Sequence, residues 1–207
     1  SSTQLKIRFT LKSDGGLVAD GWYVDDIKLI NYNPLINNIV TQVNLTLIPE
    51  GLYNTQTNIL NRKDTVRIFL RNADSPYSLV DSAKGTVDSV NFLFSAGFSN
   101  VPSGNYFIVV KHRNTIETWS KSGGENYVFG ETFEYDFTAA DSQAYGNNLK
   151  FIGSEYCMFA GDVNQDGVVD VIDQSMTDND ALNFTTGYNP TDVNGDGFTD
   201  AFDLSFI

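Results

Sequence analysis

Two stretches near the end of the chain repeat a pattern of oxygen-bearing side chains. Asp162, Asn164, Asp166, Asp170 and Asp173 recur as Asp192, Asn194, Asp196, Asp200 and Asp203, and a glycine holds the sixth place of each set, Gly167 and Gly197. Counted from each first aspartate, the side chains fall at places 1, 3, 5, 9 and 12, and the backbone carbonyls of Val168 and Phe198 fall at place 7. This is the spacing with which one twelve-residue loop wraps a hard divalent cation, the glycine permitting the sharp bend. Magnesium demands a near-ideal octahedron and gives up water reluctantly, whereas calcium tolerates a flexible oxygen cage. The pattern therefore predicts two calcium sites.

Charge points the same way. Ten Asp and no Lys or Arg lie between Ala160 and Ile207, which accounts for most of the formal net charge of −13. Without a cation such a segment repels itself and has few apolar side chains to offset the repulsion. Cation binding and folding of this segment are expected to be one event.

Paired loops of the form D-x-N-x-D-G-x-x-D-x-x-D, each leading straight into a helix with no entering helix before it, resemble a dockerin module. Dockerins are calcium-dependent plugs that dock extracellular proteins onto cohesin receptors. The resemblance covers Gly161 to Ile207. It implies that the residues just named are the ligands and that loop positions 10 and 11, here Val171, Ile172, Ala201 and Phe202, face the partner. Many dockerins carry hydroxyl residues there, so this set implies an apolar contact; alternatively the four pack two helices on each other. After the first loop a helix has room from about Val171 through Met176 and Asp180. After the second only Leu204 to Ile207 remain, too few for a helix, so the module is expected to be incomplete at 161–207.

The elements that must carry these loops read as mainly β. With 207 residues, 41% hydrophobic and 13% aromatic, the chain can build a sizeable core. Residues 35–160 predict an Ig-like or transthyretin-like β-sandwich, with strands at Ile39–Ile48, Thr65–Arg71, Ser78–Lys84, Val90–Phe94, Asn105–Lys111, Ile116–Ser120, Thr132–Phe137 and Tyr156–Ala160. Apolar residues alternate in Val66, Ile68, Leu70; in Val90, Phe92, Phe94; in Tyr106, Ile108, Val110; and in Phe133, Tyr135, Phe137. The run from Val101 to Val110 is similar to the Cna-B-like or transthyretin-like spacers of bacterial surface proteins.

Residues 1–34 predict a strand pair: Leu5, Ile7, Phe9 and Leu11 alternate with Lys6, Arg8, Thr10 and Lys12, and a second strand runs from Trp22 to Ile30. The phrase from Ala19 to Ile27 resembles the closing strands of MAM-like and immune-inhibitor-like jelly-roll domains, which implies that Ser1 lies inside a larger domain. In such domains paired aspartates often hold a structural calcium, so Asp25 and Asp26 read either as ligands or as a polar strand edge. The pair would complete its sheet on the following domain or, by strand addition, on a neighbouring molecule.

Nothing in the sequence builds a recognisable catalytic centre. The single histidine, His112, lies between Lys111 and Arg113, which lower its pKa, and it reads as an exposed strand residue. Ser120 has no nucleophile-elbow context, and Glu131 and Glu134 have no defined separation. Trp22 and Trp119 serve either the core or sugar stacking. Cys157 reads as an apolar filler and, being alone, excludes an internal disulfide, which leaves calcium as the staple of a secreted chain. Asp64-Thr65, Asp81-Ser82 and Asp88-Ser89 resemble O-glycosylation sites of Bacteroidota or are ordinary strand-end turns. The acidic balance argues against nucleic acid and anionic membrane as partners, and no membrane-inserting run is present.

The expectation is an extracellular or cell-surface protein that is not an enzyme. In one form it joins copies of itself into a filament or surface assembly; in the other it is the anchoring end of a secreted hydrolase that docks on a cohesin-like protein.

Overall fold

A computed structural model describes residues 39–207, and the expected strands, Trp22 and the Asp25-Asp26 pair of the first 34 residues lie outside them. Residues 39–207 form one compact unit.

Two facing sheets make the sandwich. In the first, β1 (Thr41–Thr46) runs between β6 (Leu93–Phe98), antiparallel to it, and β10 (Phe133–Asp136), parallel to it. In the second, β4 (Asp64–Asn72) pairs with β5 (Leu79–Val87) and β7 (Gly104–His112), and β7 carries the short strands β8 (Thr118–Trp119) and β9 (Glu125–Tyr127) on its other edge. The inward halves of the alternating runs meet between the sheets: Val43 and Leu45 from β1, Val66, Ile68 and Leu70 from β4, Ile108 and Val110 from β7, with Phe94, Tyr135 and Phe137. A buried side chain of this size contributes about 1.5–3 kcal/mol, so this cluster supports the rest of the unit. Short two-stranded ribbons close the ends, β2 (Tyr53–Asn54) with β3 (Ile59–Leu60) and β11 (Lys150–Ile152) with β12 (Glu155–Cys157). Among the described residues no helix is long and apolar enough to cross a membrane.

Two expectations need correction. The run Val90-Phe92-Phe94 does not begin a strand at Val90. The Asp88 carboxylate accepts hydrogen bonds from the backbone of Val90 (2.9 Å) and Asn91 (3.3 Å), making a turn that leaves Val90 exposed and delays the strand to Leu93. His112, expected at the surface, is buried. It stands opposite Val66 and continues the inward parity of Tyr106, Ile108 and Val110, so strand register overrides its charged neighbours.

Residues 161–207 are built on one helix, α1 (Val171–Leu182), and a final 3-10 turn over Asp203–Phe206. Asp170 caps α1 by accepting from Ile172 N at 2.7 Å, and Asp173 accepts from Asp170 N at 3.0 Å, a reciprocal capping box.

Candidate metal centre

The two loops share most of their hydrogen bonds. In the first, Asp173 Oδ1 accepts from the backbone of Val163 (2.9 Å) and Asn164 (3.1 Å); in the second, Asp203 Oδ1 accepts from Val193 (2.7 Å) and Asn194 (3.0 Å). Asn164 accepts from Asp166 N at 2.8 Å and Asn194 from Asp196 N at 2.8 Å; Asp166 accepts from Val168 N, and Asp196 from Phe198 N. Asp200 and Asp203 repeat the capping contacts of Asp170 and Asp173. Gly167 and Gly197 both hold φ near +90°, at 91° and 92°, where a β-carbon is strained, which is why position 6 is glycine in each copy. All ten predicted ligand residues thus lie in two loops of like hydrogen bonding, with the carbonyl-bearing Val168 and Phe198 at the same point of each.

The donors suit a hard cation. Asp162, Asp173, Asp192 and Asp203 are buried, while Asp166, Asp170 and Asp196 reach solvent. Burial pushes the Asp162, Asp192 and Asp203 carboxyls above the ordinary carboxylate range; the charge of Asp173 adds to this at Asp162, and that of Asp192 at Asp203. Among the described residues neither oxygen of Asp192 makes a close hydrogen bond, although the backbone N–H groups of Gly197 and Gly195 face it. Buried carboxylates held at such expense are what a cation relieves. Among the described residues no three acidic, imidazole or thiol groups gather as a ready shell. Each cradle is of mixed type, and its carboxylates, each with about four lone-pair sites, can accept backbone N–H and still present oxygen to a metal.

The second loop is seated on the sandwich. Asn61 Nδ2 donates to Asn194 O at 2.9 Å, and Asn114 Nδ2 donates to Pro190 O at 3.1 Å. Val193 is fully buried in a small cluster with Ala160 and Val163, partly covered by Phe206 and Ile207. A β-carbon at Gly51 would collide with Val193 O, so the two backbones touch there. Glu50 Oε2 accepts from Ala160 N at 3.0 Å and fixes the point where sandwich becomes loop.

A buried polar group under this seat was not foreseen from sequence. Asp64 Oδ2 accepts from Arg113 Nε at 3.0 Å, its Oδ1 accepts from Tyr188 Oη at 2.7 Å, and His112 Nε2 lies 3.3 Å from Oδ2. Burial alone would raise the Asp64 carboxyl, but His112, Tyr188 and Arg113 together hold it well below the usual range. Burial lowers His112 and favours its neutral form. Residues 64, 113 and 188 are too far apart in sequence for any local spacing to have revealed them.

The remaining candidates are dispersed. Val171, Ile172 and Phe202 are 68%, 53% and 72% exposed and Ala201 is exposed, so these four do not pack helices together. Trp119 lines an open cleft of about 350 Å³ with Tyr77, Phe107 and Tyr145. Ser120 is buried with its hydroxyl accepting from Ile108 N, and Glu131 and Glu134 are exposed. Burial raises the Cys157 thiol to about 12, in keeping with an inert filler. Thr65 and Ser82 lie within strands, and only Ser89 sits in a turn.

Residues 160–207 match the model of the Dockerin type I domain. Two solved type II Cohesin-X-Dockerin complexes from Acetivibrio cellulolyticus, an N-terminal and a C-terminal interface mutant, are similar at 16% and 15% identity. Each comparison covers 80% of this chain and 92% of the other, with TM-scores of 0.47 and 0.44, a loose likeness from which nothing finer follows. No curated protein matches. Dockerin type I domains bind calcium as a class. Residues 160–207 form a dockerin module, joined here to a β-sandwich.

Proposed function

We propose that this chain is a non-catalytic docking protein whose C-terminal module binds two calcium ions and then plugs into a cohesin-like receptor outside the cell. The carrying observation is the exposure of Val171, Ile172 and Phe202 at matching positions of two repeated loops. Large apolar side chains on so acidic a segment mark a contact surface. Asp162, Asn164, Asp166, Asp170 and Asp173 would hold one ion and Asp192, Asn194, Asp196, Asp200 and Asp203 the other, with carbonyls from Val168 and Phe198. Calcium supplies charge compensation and a staple; the side chains orient the loops and present positions 10 and 11.

The test is calorimetric titration of the chain against a panel of cohesin domains, with calcium and with chelator. Calcium-dependent equimolar binding to a panel member is expected. Silence across the panel, with calcium demonstrably bound, would count against a cohesin-like receptor. Assembly into a filament rests on the strand pair expected at residues 1–34 and on the short apolar helix pair expected at 161–207, and no observation in residues 39–207 favours it. Negative-stain microscopy with calcium and after chelation tests it, polymers that dissolve on chelation being the supporting result.

A further inference from the structure

The two loops match in backbone and in ligand set, yet their first aspartates have different neighbours. Asp162 Oδ1 accepts from Asp166 N and Oδ2 from Gly167 N, both at 3.1 Å, so the first loop closes on itself. At Asp192 the backbone N–H groups of Gly197 and Gly195 face the carboxylate, but none closes a hydrogen bond as short as those at Asp162. Asp192 Oδ2 lies 3.5 Å from Arg62 Nη1 and 3.7 Å from Arg113 Nη2, two guanidinium groups contributed by the sandwich. Arg113 is held in place from the other side by Asp64, and it also donates to the backbone of Asn189. Both guanidiniums lie over the ring of Tyr188, at 5.1 Å for Arg62 and 4.9 Å for Arg113. Arg113 Nη2 is itself buried without a hydrogen-bond partner, so the charges of Arg113 and Asp192 answer one another.

We infer that Arg62 and Arg113 make the two calcium sites unequal: they hold the second loop on the sandwich through Asp192 and compete with calcium for that carboxylate. This rests on the calcium reading above. Each loop brings four aspartates, but only the second has two fixed cations beside one of them, and ligand charge is a main determinant of calcium affinity in such loops. A nearby like charge in a partly dry site acts more strongly than one in open water. The first loop fills first. The second fills later and draws Asp192 away from the sandwich arginines as it does so, which makes the seat of the module on the sandwich sensitive to calcium concentration.

The experiment is calcium titration of the whole chain by calorimetry, with thermal melting in chelator alongside. Asp192→Ala isolates the first loop and Asp162→Ala isolates the second. The first is expected to bind at least about 10-fold more tightly than the second. Arg62→Gln is the decisive variant, because Arg62 is one-third exposed and does not bear on Asp64. It should tighten the second site by about 10-fold while lowering the melting temperature in chelator, since it removes a competitor and a clamp together. A merely structural arginine would lower stability without improving calcium affinity. Equal affinities in the two single-loop variants, or an Arg62→Gln protein that binds calcium no better, overturns the inference while leaving calcium binding intact. Failure of the unaltered chain to bind calcium at all would overturn the calcium reading and this inference with it.

Discussion

Asp173 Oδ1 accepts from the backbone N–H of Val163 at 2.9 Å while its Oδ2 accepts from Asp170 N at 3.0 Å, so one carboxylate ties the start of the first loop to the start of α1. Asp203 makes the same two ties in the second loop. Both side chains are fully buried, and removing either leaves backbone donors unpaired, a cost of about 1–3 kcal/mol. Asp173→Ala is expected to lower stability in chelator by that amount as well as abolish calcium binding at its loop. Denaturant unfolding in chelator checks it, and unchanged stability there would contradict the structural half of the claim.

Arg113 is expected to be the costliest single residue to lose in the seat. Arg113→Ala leaves Asp64 and Asp192 buried beside one charge partner fewer, and breaking a buried pair in this way costs about 3–5 kcal/mol. The pH dependence has a definite sign. A carboxyl held below its unfolded value contributes stability that is present above roughly pH 3.9 and is lost as pH falls through its lower folded value. Melting from neutral pH into acid should show the unaltered protein retaining this contribution further into acid than Arg113→Ala. Coincident acid profiles would contradict it.

Calcium uptake should weaken on mild acidification. Asp162, Asp192 and Asp203 titrate above the usual carboxylate range when no metal compensates them, so protons compete for these oxygens at unusually high pH. Raised carboxyls contribute stability below their unfolded pKa that is lost as pH rises through the folded value, so neutral pH is where the metal-free loops are worst off. The melting-temperature gain from calcium is therefore expected to be smaller at pH 5 than at pH 7. An equal gain at both would count against the raised carboxyls.

The docking face predicts a separation of effects. Val171→Ser, Ile172→Ser and Phe202→Ser alter exposed side chains and should change stability by no more than about 0.5 kcal/mol each. Together they should weaken capture of a cohesin partner by more than about 10-fold, the scale of a lost hot spot. Full affinity in the triple variant would place the contact elsewhere on the module.

The cradles were legible in the sequence because both periods are local: ligand spacing within twelve residues and alternation within a strand. Val66, Ile68 and Leu70 announced β4, and Asp162 to Asp173 announced the first loop, from their own neighbours alone. Val90 misled because a turn made by Asp88 overrides apolar alternation. His112 misled because its place in the strand register, opposite Val66, turns it inward whatever the charge of its neighbours. The seat of the second loop was not legible at all, since Arg62, Asp64, Arg113 and Asp192 meet only after the sandwich is folded. Its one local sign is that glycines stand where the two parts approach closely, Gly51 against the Val193 backbone and Gly195 against the Leu52 and Arg62 side chains, and that has meaning only once both partners are known.

Thermal melting in millimolar calcium and again in chelator, on the unaltered chain and on Asp162→Ala combined with Asp192→Ala, tests most directly whether residues 160–207 are held by calcium. At about one hundred times its Kd each ion contributes about 2.7 kcal/mol. The unaltered chain should lose a calcium-dependent part of its stability on chelation, and the double variant should melt at the lower temperature in both solutions. A double variant that keeps full stability in calcium, or an unaltered chain that melts identically with and without it, would contradict the account.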